Sequence, residues 1–385
     1  MTLEDDFTLT TEARALWISR FDWGSPPLRA ARLDYLLDRA ADAGFNIIFF
    51  QVRAMGDAYY ASGLEPWAYR LTGSTAASLG RDPAWDPLAH AIQAAHSRGL
   101  ELHAYVNVYS LWECDRGQPP HTSPEHPFWA LGADGSWRVH AKRTDGPLPM
   151  SESTGGEAPC HEYVWASPGV ERVNAHNLAV IEDIVTRYPV DGVHLDRVRY
   201  PGRQYSYDPE SLVRWQARNP AVTREDWQRD QITAWVAQVR SRMRAIRPAA
   251  RLSAAVWFVY QKTPAMNFAV AQGYHDYFQD SHRWLAEGAL DALIPMIYGP
   301  ALDGDINKWR VTADSHTRLA QQGQVWLGVG GGIAPFAGIA ERIDYARRAG
   351  VQGVAVFSAS ALEEHGYWGS LKAGPFRQLA ITPWD

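Results

Sequence analysis

The sequence predicts an α/β protein that folds as a (β/α)8 TIM barrel, a single domain over residues 1–385 with its core at about residues 14–380. Eight short apolar segments are typical of buried parallel strands, and amphipathic segments separate them. Eight alternating strand and helix units favour a closed barrel. A doubly wound open sheet is the alternative, but residues 19–23, after the first strand, form no glycine-rich phosphate turn.

The predicted elements follow one another in a regular order. The strands are Ala15–Ser19, Asn46–Val52, Glu101–Asn107, Gly192–Asp196, Leu252–Trp257, Ala292–Tyr298, Val325–Val329 and Gly353–Phe357. The helices are Leu28–Ala43, Pro87–Arg98, Pro168–Tyr188, Thr223–Ile246, Gly273–Glu287, Val311–Gln322, Gly338–Arg348 and Gly369–Gln378. Glycine follows several helices, as at Gly44, Gly99 and Gly350, and provides the left-handed cap that ends a helix.

Two loops are longer than a connection requires, residues 56–85 after the second strand and residues 109–163 after the third. Loops of this length inside a compact domain are usually functional or disordered, and their aromatic content argues against disorder. Both leave the carboxyl ends of the strands, so we expect them to wall a cleft. The second loop holds the two cysteines of the chain, Cys114 and Cys160, and their pairing stays open.

Composition limits the class of protein. Hydrophobic residues make up 46% of the chain and charged residues 21%, as in a globular protein with a large core. The net charge of −6 and the lack of a basic tract make nucleic acid an unexpected partner. No apolar run is long enough to span a membrane, and the acidic residues 1–6 precede no signal-peptide segment. Location stays open between the cytoplasm and the cell envelope, and so does the oligomeric state.

Polar side chains cluster where the predicted strands end. Asp196 is the last residue of the fourth strand, where a carboxyl group is poorly solvated yet reachable. A structural ion pair with the neighbouring arginines is the alternative. The other residues that we expect to contact a substrate at this mouth are Arg53, Tyr105, Asn107, His194, Arg197, Arg199 and Tyr298.

Aromatic residues are abundant, with 17 Trp and 17 Tyr. Flat aromatic faces suit the apolar faces of sugar rings. We expect four tryptophans in loops or at strand ends to serve as such platforms, although each could equally belong to the core: Trp67, Trp112, Trp165 and Trp257.

These features favour glycoside hydrolysis. The sequence has no dinucleotide fingerprint, no P-loop and no cluster of metal ligands, so we expect neither a cofactor nor a metal. Glycoside hydrolysis usually requires two carboxyl groups. Asp196 is the first, and the candidates for the second are Asp22, Asp57, Glu113, Asp115 and Asp303. We prefer Asp57, although a structural pair of Asp57 with Arg53 is an equally strong interpretation.

Motifs along most of the chain carry a resemblance to a known family. They are Asn46–Arg53, Gly56–Tyr60, Glu65–Trp67, Asp86–Leu88, Ala95–Asn107, Trp165–Gly169, Val190–Pro201 and Leu290–Tyr298. In this order they resemble the bacterial glycosyl-hydrolase-like family 10. The resemblance implies a (β/α)8 barrel that acts on bacterial polysaccharide, either peptidoglycan glycan or exopolysaccharide, with Asp196 as its principal catalytic carboxylate.

The chain departs from the family pattern at two positions. Many members carry a second acid directly after the aspartate, and here that residue is Arg197. The strand also resembles that of family-18 chitinases, but Val198 occupies the position of their catalytic glutamate. We therefore expect an endo-acting glycoside hydrolase, which cleaves bonds inside an amino-sugar or acidic polysaccharide. A carbohydrate-binding barrel without catalysis and a polysaccharide lyase are the alternatives.

Overall fold

The computed structural model describes residues 9–155, 157–218 and 221–384, and it confirms the predicted barrel. The acidic residues 1–6 lie outside the described ranges. Eight parallel strands close in the order β1 to β8, with β8 paired to β1. Their bounds are β1 Ala13–Ile18, β2 Ile47–Arg53, β3 Glu101–Asn107, β4 Gly192–Asp196, β5 Arg251–Val256, β6 Ala292–Pro295, β7 Gln324–Gly330 and β8 Gly353–Phe357.

The helices surround the barrel. Their bounds are α1 Ala30–Ala43, α2 Pro87–His96, α3 Pro127–Ala130, α4 Glu171–Arg187, α5 Pro209–Gln216, α6 Arg224–Ile246, α7 Gly273–Asp276, α8 Ser281–Ala286, α9 Pro300–Asp303, α10 Ile306–Thr317, α11 Ala337–Arg348, α12 Ala359–Glu364 and α13 Trp368–Ala373. The helix predicted over 273–287 is two short helices, because Phe278 between them adopts a positive φ of 52°. No helix within the described ranges is long and apolar enough to cross a membrane.

The core has two layers. Inside the barrel, Trp17, Phe49 and Trp326 pack around the axis, and the C-terminal Trp384 lies 5.0 Å from the ring of Trp326. A larger apolar layer fills the space between the strands and the surrounding helices. Such a filled interior leaves the carboxyl ends of the strands as the place for a site.

The two long loops are ordered by short elements of their own. In the first, Tyr69–Leu71 and Ala76–Ser78 form 3-10 turns. In the second, Ser110–Glu113 pairs with Tyr163–Trp165 in an antiparallel ribbon, and His140–Ala141 pairs with Leu148–Pro149. Cys114 and Cys160 form a disulfide beside the first ribbon, with their Cα atoms 6.1 Å apart. The bond joins the two ends of the loop close to the barrel mouth.

We expect removal of this disulfide to lower the free energy of unfolding by about 4 kcal/mol, because 46 residues separate the two cysteines and the open chain gains that loop entropy. Urea unfolding of the Cys114→Ser/Cys160→Ser variant measures the loss. Reductant should destabilise the native protein and leave the double variant unchanged. Equal stability of the oxidised protein and the variant would contradict the prediction.

Candidate active site

Asp196 is the last residue of β4 and is partly exposed at the carboxyl end of the barrel. Two donors hold its carboxylate. The hydroxyl of Tyr105, on the neighbouring β3, donates to Oδ2 at 2.8 Å, and the backbone N–H of Arg197 donates to Oδ1 at 2.6 Å. Both oxygens are therefore oriented by the scaffold, which is the condition for a group that acts on a bound substrate.

The chain turns sharply directly after Asp196. Arg197 has a φ of 52°, in the left-handed region that few residues other than glycine occupy. Local strain of this kind persists only where the surrounding structure holds it, and it is frequent at functional sites. The turn brings the Arg197 N–H onto the carboxylate of Asp196 and places the Arg197 guanidinium 4.3 Å from the ring centre of Tyr163.

A second arginine, Arg199, lines the same small cavity as Arg197, which we call the arginine cavity. The Arg199 guanidinium lies 4.6 Å from the ring centre of Tyr277, 4.9 Å from that of Trp165 and 5.4 Å from that of Trp257. The cavity encloses about 360 Å3. Its lining residues are Met150, His161, Glu162, Trp165, Arg197, Arg199, Pro201, Tyr205, Trp257 and Tyr277.

The two arginines differ in their electrostatic surroundings. Burial alone would lower the pKa of Arg197, but Tyr163 and Asp196 outweigh burial and raise it. Burial, followed by repulsion from Arg197, lowers the pKa of Arg199 to about 10. Both side chains remain cationic at neutral pH, and Arg199 is the less well compensated of the two.

An aromatic pair extends the mouth toward β6 and β8. The rings of Tyr298 and Phe357 stack in parallel, with centroids 4.8 Å apart and planes inclined by 2°. Phe357 is 38% exposed. Burial raises the pKa of Tyr298, and the charges of Asp196 and Asp303 raise it further. The Tyr298 hydroxyl therefore lies in the field of both carboxyl groups.

Asp303 follows β6 and reaches the end of β7. Its Oδ2 accepts from the Gly299 N–H at 3.1 Å, whereas its Oδ1 is buried and has no hydrogen-bond partner within the described ranges. A Cβ atom on Gly330 would come within 2.7 Å of Oδ1, so the glycine leaves room for the carboxyl group. Burial raises the pKa of Asp303. The protonated form is thus favoured relative to an exposed aspartate.

The burial of Asp57 argues against its assignment to catalysis. Asp57 is 0% exposed, its Oδ1 accepts from the Met55 N–H at 2.9 Å, and burial raises its pKa. A carboxyl group enclosed in this way presents no exposed oxygen to a polysaccharide. The alternative of a pair with Arg53 is also wrong, because the carboxylate bound to Arg53 is that of Glu65, at 2.7 Å.

Three more residues expected to bind substrate lie inside the protein. Arg53 is 0% exposed and donates to Glu65 and to the carbonyl of Asn107. Asn107 is itself buried and donates to the Ala54 carbonyl at 3.0 Å. Trp112 is buried and donates to the Gly117 carbonyl. These contacts join the loops over the barrel end, and they argue for a structural role of the three side chains.

His194 also lies in the core. Its ring stacks on Phe49 with centroids 3.8 Å apart, its Nε2 accepts from the Trp17 indole at 3.1 Å, and its Nδ1 faces the Ser253 hydroxyl at 2.9 Å. Burial lowers its pKa well below the usual range, so the ring is neutral. Enclosed below the mouth, His194 packs in the barrel interior and presents no exposed surface to a substrate.

Of the remaining predicted residues, Tyr105 and Trp165 are buried, whereas Trp67 and Trp257 are partly exposed. Tyr105 touches Asp196 from below, and Trp165 and Trp257 line the arginine cavity. Trp67 is half-buried against the core in the first long loop, away from that cavity. The sequence interpretation missed Glu162, Tyr163, Tyr277 and Phe357. Among these four residues, only Phe357 could have been identified from the sequence, because it is the last residue of a predicted strand.

Comparison with known proteins agrees with this architecture. Residues 12–334 match the family described as Glycosyl hydrolase-like 10. Glycosyl hydrolase YngK of Bacillus subtilis is 26% identical over 309 residues, which cover 74% of this chain and 54% of YngK. Glycosyl hydrolase DigH of Escherichia coli is 27% identical over 322 residues, which cover 74% of this chain and 65% of DigH. The chain thus matches less than two thirds of the length of either relative.

Solved structures show the same fold at low identity. The glycoside hydrolase domain of PgaB (BpsB) from Bordetella bronchiseptica superimposes with a TM-score of 0.65 at 13% identity, covering 94% of this chain and 98% of that domain. The catalytic domain of β-amylase from Paenibacillus polymyxa gives 0.54 at 12% identity, covering 94% and 98%. The family match extends over most of the barrel and confirms the resemblance inferred from the motifs. The chain belongs to the Glycosyl hydrolase-like 10 family.

Proposed function

We propose that this protein is a glycoside hydrolase that cleaves a bacterial amino-sugar or acidic polysaccharide, with Asp196 as the principal catalytic carboxylate. The observation that carries the proposal is the placement of Asp196. Its carboxylate is partly exposed at the carboxyl end of β4, it is oriented by Tyr105, and it lies beside an aromatic cavity. The family and the glycosidase folds among its structural neighbours support this class of enzyme.

We propose Asp303 as the second carboxyl group. The other candidates are occupied or remote: Asp22 accepts from Ser19 and Ser358, Glu113 pairs with Arg20, and Asp115 accepts from the Thr154 N–H. Asp303 is half-buried, and one of its carboxyl oxygens has no partner within the described ranges. The charges of Asp196 and Asp303 both raise the pKa of Tyr298, so both carboxyl groups lie in the neighbourhood of that side chain.

The two groups suit different roles. The raised pKa of Asp303 suits a general acid, which protonates the glycosidic oxygen as its bond to the anomeric carbon breaks. Asp196 then acts as the anion, either by attacking the anomeric carbon or by taking a proton from the attacking water. In both cases one water is consumed, and one fragment gains a new reducing end. Tyr298 and Phe357 offer an apolar platform for the sugar ring.

Incubation of the native protein with a panel of bacterial polysaccharides tests this function. The panel should contain peptide-free peptidoglycan strands and amino-sugar exopolysaccharides. We expect new reducing ends on at least one member, and shorter oligosaccharides by mass spectrometry. Binding without shortening at long incubation would favour a carbohydrate-binding barrel, which the arginine at position 197 makes a specific alternative. Products with an unsaturated uronate would indicate a lyase.

The Asp303→Asn variant tests the role of the second carboxyl group. A general acid must be protonated, so kcat/KM should fall as the pH rises through the pKa of Asp303. Burial raises that pKa, so the fall in kcat/KM, the alkaline limb of the pH profile, occurs at a pH above the ordinary aspartate pKa of about 3.9. We expect the variant to lack this alkaline limb and to cleave the substrate about 10²–10⁴-fold more slowly.

Asp305→Asn is the matched control for this variant. Asp305 lies two residues after Asp303, at the start of α10, and accepts from the N–H groups of Asn307 and Lys308, a capping role that asparagine also fills. Its pH profile should match that of the native protein. An unchanged alkaline limb in Asp303→Asn would show that another group is the acid.

A further inference from the structure

The arginine cavity holds a cation that the protein leaves without a carboxylate. Within the described ranges, no Asp or Glu oxygen lies within 4.0 Å of the Arg199 guanidinium, and its one hydrogen bond is to the carbonyl of Tyr200, at 3.2 Å. Arg197 has the carboxylate of Glu162 at 3.3 Å, but that side chain is 70% exposed. An anion that enters the cavity would form a strong charge-assisted hydrogen bond with this partly buried guanidinium.

The walls of the cavity suit a sugar. Three aromatic rings surround Arg199, those of Trp165, Trp257 and Tyr277. The ring centres of Trp257 and Tyr277 lie 4.4 Å apart. The volume of about 360 Å3 lies in the range of roughly 300–1,000 Å3 that small-molecule sites occupy. Arg197 lines this cavity and directly follows Asp196, whose carboxylate accepts from the Arg197 N–H, so the cavity adjoins the turn that carries the candidate catalytic residue.

We propose that Arg199, assisted by Arg197, forms a subsite that binds the carboxylate of an acidic sugar next to the bond that Asp196 cleaves. The proposal rests on the proposed glycosidase function and adds the substrate class: a glycan that carries one carboxylate near the scissile linkage. A planar carboxylate matches the two parallel N–H donors of a guanidinium. The carboxylate belongs to a uronic acid or to an ether-linked lactyl group such as that of muramic acid, and separate probes distinguish the two.

The Arg199 guanidinium also packs on three rings, so a purely structural role is the competing account. The two accounts differ in what they predict for a neutral ligand. A structural arginine holds the shape of the cavity, so its loss weakens the binding of acidic and neutral ligands alike. A subsite arginine affects only the ligand that carries the charge.

The experiment is isothermal calorimetry with paired oligosaccharides. One pair is a glucuronate-containing tetrasaccharide and its carboxyl-reduced form, and the other is a peptide-free muramic-acid tetrasaccharide and its carboxyl-reduced form. We expect the native protein to bind the acidic member of one pair about 10–100-fold more tightly, the size of a charge-assisted hydrogen bond. Arg199→Gln should lose this preference and keep its affinity for the reduced form, and Arg199→Lys should retain part of the preference.

Arg203→Gln is the matched control, because Arg203 lies in the same loop but its side chain is 64% exposed and pairs with Asp276. It should keep the full preference. Equal affinity of the native protein for both members of each pair, or no binding of either, overturns the proposal. So does an equal loss for acidic and reduced forms in Arg199→Gln with a lowered Tm, which indicates a structural arginine.

Failure of the subsite and failure of the glycosidase function give different results. Reducing-end release is measured in parallel with binding. Carboxylate-selective binding without cleavage supports the subsite and contradicts hydrolysis. Cleavage of acidic and reduced forms at equal rates supports hydrolysis and overturns the subsite.

Discussion

Replacement of Asp196 by asparagine is expected to reduce the rate of glycan cleavage by about 10²–10⁴-fold, the contribution typical of a positioned catalytic acid or base. The amide has the same shape. Its oxygen can still accept from the Arg197 N–H, while its NH2 group faces the Tyr105 hydroxyl, which can accept in turn. It cannot ionise, so it can neither attack the anomeric carbon nor accept a proton from water. The measurement is the initial rate of reducing-end release from a polysaccharide that the native protein cleaves.

Asp191→Asn is the matched control for this variant. Asp191 directly precedes β4 and lies at the opposite end of the barrel, where its Oδ2 accepts from the Leu102 N–H at 2.7 Å. Residues at that face serve stability rather than chemistry. We expect Asp191→Asn to lower Tm while the rate per folded molecule stays unchanged. Full activity in Asp196→Asn, with the fold intact by circular dichroism, would contradict the assignment of Asp196.

The strands could be predicted because burial on both faces leaves a continuous apolar run. The segment at residues 47–50 is such a run, and β2 begins at Ile47. The position of Asp196 follows from the same rule, since a polar residue directly after a buried run marks the strand end. Parallel strands then bring all such ends to one mouth, so the general location of the site could be predicted without any contact being known.

The direction of individual side chains could not be predicted in this way. His194 is two residues before Asp196 and points to the same side of the strand, but one layer deeper it meets Trp17 and Phe49. Asp57 follows β2, yet the first long loop folds back over it and the Met55 N–H binds its carboxylate. The depth of a side chain in the barrel and the path of a loop over it depend on tertiary packing. The local sequence pattern predicts neither.

The missed residues share one cause. Glu162 and Tyr163 come from the end of a long loop, and Tyr277 follows a short helix; each reaches the arginines through contacts distant in sequence. Composition showed that aromatic residues were abundant, but the rings that meet Arg199 are selected by the fold. Trp112 and Trp165 lie on the two strands of one ribbon, yet only Trp165 lines the cavity.

The loop over the second strand contains a buried ion pair, and we expect its loss to have a large effect on stability. Arg53 and Glu65 are both fully buried, and the Arg53 guanidinium also donates to the carbonyls of Asn107 and Val108. The His176 ring lies 2.8 Å from the same Glu65 carboxylate. Burial alone would raise the pKa of Glu65, but Arg53 and His176 hold it well below its usual range.

We expect Arg53→Met to lower the free energy of unfolding by about 3–5 kcal/mol at pH 7, because it leaves the Glu65 carboxylate buried without its partner. The pair stabilises the native protein above the unfolded pKa of about 4.3, and this contribution is lost as the pH falls toward the depressed folded pKa. In the variant, burial raises that pKa, so the stability difference should shrink in acid. Urea unfolding of the native protein and of the variant at pH 7 and pH 4 measures this difference in stability. Arg53→Met/Glu65→Gln should recover part of the loss, and a difference that is independent of pH would show that packing, rather than charge, accounts for the effect.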